Sequence, residues 1–483
     1  MCRRAILLVA LWALAGCGET ARGVPFDVAS YEAQSPNDRL AYPPTTVCLH
    51  NLQRVMDAQL PPEQRKASLE LVVRLGGDDP EVRQQLAELM ASDGASPLRD
   101  SVLEFLVSRD SPDVAGLIVQ ALPSLRTQST LRDVVLDWLS RHSTPQVLAE
   151  VVKIWSAEPP EGPNESQFRS IVQQNTGMAW DRALVESINR SGFPAGGSAL
   201  EVLVRRLDGS SLRAKLLAVA PQTEAMRTLR TLIAELDYLP TGREDLRLAA
   251  RLLGAHSQAV PGAARLARQW RDQTAYSFEL RDMHLLARLS ADALRDTELT
   301  REQLLADLER SISTRPAAPA PPKGAAPPPL SAQADQLSMA DLWRLRLLDE
   351  MLTRPHVQMA IAVMADRDRA DAARAWGGVI FYESGRATAR IYPPPDAGGD
   401  DKTYAPSEQA ASDLRDSLCR FHAHFERANN AERSLPSQTE LLEAATGGFC
   451  GLLLTTLGDD TFCATYYTPR GVVVSLGAAP LRR

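Results

Sequence analysis

One stretch of this chain recurs at a fixed offset. When "LRDSVLEFLVSRDSPDV" (98–114) is set over "LRDVVLDWLSRHSTPQV" (131–147), Leu98, Arg99, Asp100, Val102, Leu103, Leu106, Pro112 and Val114 reappear identically thirty-three residues later. Phe105 becomes Trp138 and Glu104 becomes Asp137, so character is kept where identity is not. An earlier unit carries the same punctuation, with Pro80 of "DDPEV" thirty-two residues before Pro112. Each unit reads as an apolar-periodic helix, a short polar turn, a proline in the first turn of a second helix, and that helix's own apolar stripe. Proline is tolerated there because first-turn N–H groups have no intrahelical partner. A lone helical pair cannot bury its stripe, so the repeat predicts stacked pairs around a continuous core. A bundle of unrelated helices would not repeat at one offset.

The pattern weakens after "AEPPEGPNES" (157–166). Leu and Ala nevertheless recur at helical spacing through "SALEVLVRRL", "AMRTLRTLIAEL" and "PGAARLARQW", which extends the helical region over 48–312. These units resemble HEAT-type α-solenoid repeats, and the resemblance implies an extended face for a protein partner. A chain of 483 residues exceeds one ordinary core, and its 5% aromatic content suits a helical protein of several domains. His142, His256 and His284 stand singly, without a second ligand at metal-binding spacing, and read as surface or core histidines. Arg205, Arg206, Arg247 and Arg251 alternate with acids and read as solvated helix faces. A net charge of −7, with no basic cluster among aromatics, argues against a nucleic-acid partner.

The N-terminus addresses location. "MCRRAILLVALWALAGC" has a positive start at Arg3 and Arg4 and an apolar run from Ala5 to Ala15, too short to span a bilayer as a mature helix. Its end, Leu14-Ala15-Gly16-Cys17, resembles the bacterial lipobox. That implies a signal peptide over 1–16, lipid on Cys17 and a tether over 17–47. It also implies membrane attachment in the cell envelope, with the outer membrane favoured over the inner because Gly18 rather than Asp follows the cysteine. Losing Arg3 and Arg4 takes the charge from −7 to −9, so acyl chains rather than electrostatics must hold the protein to anionic lipid. Cys48, Cys419, Cys450 and Cys463 supply no disulfide framework and read as buried small hydrophobes.

"STRPAAPAPPKGAAPPPLSAQ" (313–333) reads as an extended polyproline-like spacer between two domains. Beyond it, 334–483 changes texture. After two helices, "GGVIFYE" and "ATARIYP" read as strands about Ser384-Gly385. "SEQAASDLRDSL" reads as a helix, "CRFHAHF" as a strand and "PSQTELLEAAT" as a helix. "GFCGLLLTTL", "TFCATYYTP" and "GVVVSLG" read as closing strands. The fold class is therefore mainly α, a solenoid followed by a small α/β or α+β domain.

On a strand, His422 and His424 point to one face, so both imidazoles can reach one ion. A helix, a strand ending in H-x-H, a loop, a Ser-x-x-acid at a helix start and further strands resemble the JAB/MPN fold, whose metal-dependent members are the JAMM isopeptidases. The resemblance covers about 365–480, with "WGGVIFYESG" like the Gly-rich strand that opens the family core. It implies zinc on His422, His424 and Glu440, oxyanion support from Ser437, and an upstream Glu as base. Three features depart from the pattern. The acid is Glu440 rather than Asp, fifteen residues separate it from His424, and Phe425 replaces a Pro. Ala375 falls where the catalytic Glu belongs, leaving Glu383 as the substitute.

No Walker sequence, dinucleotide fingerprint or G-x-S-x-G competes, and "GGDD" (398–401) and "LGDD" (457–460) read as acidic turns. The first reading is a lipid-anchored envelope protein with a protein-binding solenoid and a JAB-like domain that binds rather than cuts. The rivals are a zinc metallopeptidase using Glu383 and Ser437, and a scaffold without metal.

Overall fold

Helix pairs stack as the repeat requires. The structure is a computed structural model that describes residues 44–482, apart from 58, 93–97, 111–113, 126–128, 275, 292–297, 318–325, 371–374, 384, 393–406 and 415. The expected signal peptide, Cys17, most of the expected tether and "GGDD" lie outside the described residues. The first eight helices are α1 (Pro44–Met56), α2 (Pro62–Gly76), α3 (Pro80–Ser92), α4 (Arg99–Ser108), α5 (Ala115–Ala121), α6 (Thr130–His142), α7 (Pro145–Ala157) and α8 (Glu165–Thr176). α3, α5 and α7 form one row, and α4, α6 and α8 the other. Each row buries the stripe its neighbour leaves open.

Repeated residues are buried alike. Arg99 and Arg132 are both buried. Arg132 donates from Nη1 to Leu122 O (2.9 Å) and from Nη2 to Glu158 Oε1 (2.6 Å), tying the turn before α6 to the end of α7. Trp138 takes the place of Phe105 in the core, and its indole N–H donates to Asp110 Oδ1 at 2.9 Å. Pro145 opens α7 behind Thr144, whose hydroxyl accepts the Val147 N–H. The chain divides into two compact units inside α9 (Trp180–Ser191), one ending at Leu184 and the other starting at Val185.

The second unit begins with α10 (Phe193–Arg206), α11 (Gly209–Ala218), α12 (Glu224–Leu236), α13 (Arg243–Ala255), α14 (Val260–Thr274), α15 (Met283–Ala291) and α16 (Arg301–Ser313). It continues through the short α17 (Leu330–Gln333), α18 (Met339–Leu352) and α19 (Pro355–Ala370). Then come β1 (Trp376–Glu383), β2 (Arg386–Tyr392), α20 (Glu408–Leu414), β3 (Cys419–His424) and α21 (Gln438–Gly447), and finally β4 (Gly451–Gly458), β5 (Thr461–Tyr467) and β6 (Val473–Pro480). The sheet order is β2-β1-β3-β4-β5-β6. β3 and β4 run parallel across the α21 crossover, and every other pair is antiparallel. The protein is thus mainly α with a small C-terminal α/β domain.

Strand alternation gives the sheet two faces. Cys419, Phe421 and Ala423 join Leu452, Leu454 and Tyr466 in a core that also holds Trp343 and Leu348 of α18, Trp270 of α14 and Leu286 of α15. On the opposite face, Ala444 of α21 meets Leu453 and Tyr467, and Ala410 of α20 meets Val379, Phe381 and Tyr392. Helices cover both sides.

The segment expected to be a spacer behaves differently. Its described ends lie along β6: Pro328 O and Pro316 O accept the Ser475 and Ala478 N–H groups at 2.9 Å each, and Arg315 pairs with Asp349 at 2.6 Å. Leu330 is buried. Polyproline-like backbone keeps its carbonyls free, and here they serve the donors of an edge strand. One core runs from Leu232 in α12 to Leu481, so no packing break occurs near residue 312. Cys48, Cys419, Cys450 and Cys463 are buried and free. Among the described residues, no helix is long and apolar enough to cross a membrane.

Candidate metal centre

β3 occupies an inner position of the sheet, with β1 on one side and β4 on the other. Gly377 stands opposite His422, while Leu453 and Thr455 pair with His422 and His424. The period of two turns both imidazoles toward α21, as the H-x-H pattern predicts. Their ring centroids lie 5.2 Å apart and their planes are nearly perpendicular, at 88°. The chain leaving β3 is held firmly. Asp368 of α19 accepts the Phe425 N–H at 2.7 Å, and Asn430 Nδ2 donates to His424 O at 3.1 Å.

Glu440 arrives from the start of α21. Ser437 is the N-cap: its hydroxyl accepts the Glu440 N–H at 3.3 Å, and Glu440 Oε2 accepts the Ser437 N–H at 2.6 Å. This reciprocal capping box fixes the carboxylate's direction. The other oxygen, Oε1, touches His422 Nε2. Burial disfavours the Glu440 carboxylate, but His422 and the Ser437 hydrogen bonds outweigh it and hold its pKa below the usual carboxylate range. Ligand atoms of His422, His424 and Glu440 all lie within 4.8 Å of one another. The extra methylene of Glu and the long loop before it are accommodated because the cap sets where the side chain begins.

The donor set suits a metal. Two imidazoles and a carboxylate match zinc's preferences. His422 Nε2 and Glu440 Oε1 are buried against each other, and His422 Nδ1 is buried with no hydrogen bond. A cation taking one ring nitrogen of each histidine and Glu440 Oε1 would occupy that buried contact, while the other nitrogen of each ring keeps its proton. Access is another matter. His422, His424 and Glu440 are 1%, 4% and 2% exposed, so the centre is closed to a peptide substrate.

Glu383 is not the base. It is exposed at the far end of β1, pairs in register with Arg386, and stands six residues along the strand from Gly377. At strand rise that is about 20 Å from the centre. Ala375 is buried just before β1 and offers only a methyl group. Ser437, exposed and engaged as a helix cap, has a structural task that accounts for the Ser-x-x-Glu spacing.

Sequence reasoning missed two groups of residues. Tyr467 and Arg420 share the centre's face. Burial pushes the Tyr467 phenol up to about 12, with the Arg420 charge opposing and the Glu440 charge adding. Arg420 pairs with Glu443 of α21 at 2.9 Å, clamping that helix onto the sheet. His256 and His284 do not stand singly: both reach Asp416, 160 and 132 residues away along the chain. No local pattern could reveal separations of that size. Comparison with protein-family models, curated proteins and solved structures finds no match to this chain.

Proposed function

We propose that this chain is a lipid-anchored cell-envelope protein whose helical repeats bind a protein partner and whose C-terminal JAB-like domain holds a zinc ion without catalysing hydrolysis. The observation that carries the domain's part is the buried convergence of His422, His424 and Glu440, with neither Glu383 nor Ala375 placed to act as a general base. A zinc held by these residues would supply Lewis acidity, but without a side chain placed to move the proton to a leaving amine the chain would forgo general acid–base help worth roughly 10²–10⁴ in rate. Burial removes the substrate path as well. A zinc ion there would fix β3 to α21, as structural zinc does. The element order of helix, H-x-H strand, loop, Ser-x-x-Glu helix and strands supports the JAB-like reading. The Leu-Ala-Gly-Cys motif supports the anchor at Cys17, and the two-row stacking of α3 to α8 supports the repeat face.

Incubating the zinc-loaded full-length protein with unfolded-protein and isopeptide-linked substrates tests the non-catalytic claim. No zinc-dependent cleavage is expected. Cleavage that disappears in His422→Ala would return the JAMM-like peptidase reading. Palmitate labelling in cells should be lost in Cys17→Ser, and unchanged labelling would remove the anchor.

A further inference from the structure

We propose that His256, His284 and Asp416 form a second divalent-metal site, chemically similar to the first but open to solvent. The three residues come from separate parts of the second unit. His256 is the C-cap of α13, His284 is the second residue of α15, and Asp416 lies in the turn just before β3. His256 Nε2 lies 2.6 Å from Asp416 Oδ1, and His284 Nδ1 lies 2.9 Å from the same oxygen. The imidazole centroids are 5.6 Å apart at 68°, and the ligand atoms of all three residues fall within 4.8 Å of one another. No residue is shared with His422, His424 and Glu440.

Two imidazoles and one carboxylate make the three-protein-ligand set that zinc and iron(II) accept with coordination positions left over. Burial separates this site from the other. The two histidine side chains are 7% and 3% exposed, whereas that of Asp416 is 43% exposed. The nitrogens are thus presented from the interior and the carboxylate closes the set at the rim, leaving a path for an outside ligand. His256 and Arg288 line an adjoining cavity of about 380 Å³, and Arg288 Nε is buried there without a hydrogen bond. A cation beside that guanidinium favours an anionic outside ligand, such as hydroxide or a carboxylate.

Without an ion, two imidazole N–H groups serve the same carboxylate oxygen, and the Tyr382 N–H lies 3.4 Å from His284 Nε2. Metal binding moves the His284 proton from Nδ1 to Nε2 and gives up that contact, which is already long for a hydrogen bond. Binding likewise moves the His256 proton from Nε2 to Nδ1, so both imidazoles stay neutral. The ion takes the place where two ring N–H groups met one oxygen.

Metal-stripped full-length protein titrated with zinc chloride against a chromophoric chelator tests the site, using His422→Ala so that the first centre contributes nothing. This variant should bind one equivalent. Adding Asp416→Asn, or His256→Ala, should weaken that binding by more than about a hundredfold, since changes outside the ligand sphere alone cost roughly 10–100-fold. Cobalt(II) loading should give visible bands that vanish in the same variants. Glu440→Gln replaces His422→Ala if the latter loses its helical circular dichroism. No zinc binding by a folded first-centre variant, or one equivalent that neither added substitution disturbs, overturns the proposal.

Discussion

Glu440 caps its own helix with one oxygen and faces His422 with the other. Two substitutions separate those tasks. Ser437→Ala removes the cap and should cost about 1 kcal/mol in urea denaturation while leaving zinc content intact. Glu440→Gln keeps a capping acceptor but loses the anionic ligand, so zinc content should fall from about two per chain to about one, the second site's share, with little change in the helix. If Ser437→Ala lost the metal as fully as Glu440→Gln, Ser437 would have a direct role at the centre. The residues that sequence places correctly are those governed by short periods. His422 and His424 share a face because strands alternate, and the Ser437-to-Glu440 spacing is a helix-start signature. Glu383 lies at the far end of its strand, as its distance in sequence from Trp376 implies, and that distance keeps it from serving as the base. The His256–His284–Asp416 cluster depends on tertiary contacts that no local pattern records.

Among the elements, α18 buries Asp341, Arg344 and Asp349. Asp341 is fully buried, yet it meets Arg281 at 3.2 Å, Arg470 at 3.0 Å, the Tyr466 hydroxyl at 3.1 Å and the Ser338 hydroxyl at 2.7 Å. Burial alone would raise its pKa. The charges of Arg281 and Arg344 and the Ser338 bonds outweigh burial and bring it down to about 2. Because the folded value lies below the unfolded one, the stabilisation is complete above about pH 4 and is lost as pH falls toward 2. Urea midpoints should therefore drop between pH 4 and 2.5 in the wild type, and more shallowly in Asp341→Asn. That variant should itself lose about 1–3 kcal/mol at pH 7, because charge-assisted hydrogen bonds are lost, although Arg344 keeps Asp282 and Arg281 keeps Glu279. A wild-type acid dependence unchanged by the substitution would contradict this account. The paired helices of the repeat were legible from their offset and their prolines. The docking of the Pro-rich ends on β6 was not, because composition reveals an extended backbone but not which donors its carbonyls will meet.

At the scale of the molecule, the sheet is not an independent module attached by a spacer. The core that backs β3 and β4 includes Leu232, Trp270, Leu286 and Leu308, all upstream of residue 313. A fragment beginning at 334 should therefore expose that face, bind a hydrophobic dye and lack a cooperative thermal transition, whereas 185–483 should melt cooperatively. Cooperative melting of the shorter fragment would show that the shared core is dispensable. The sequence marks the change from helix to sheet correctly, but a change of texture is not a change of core.

The central claim is that two strand-borne imidazoles and the Glu440 carboxylate close on one ion. Zinc content of full-length Asp416→Asn protein, compared with the same protein also carrying His424→Ala, isolates that centre from the second. The account predicts about one zinc per chain in the first and almost none in the second. No zinc in the first, or equal zinc in both, would contradict it.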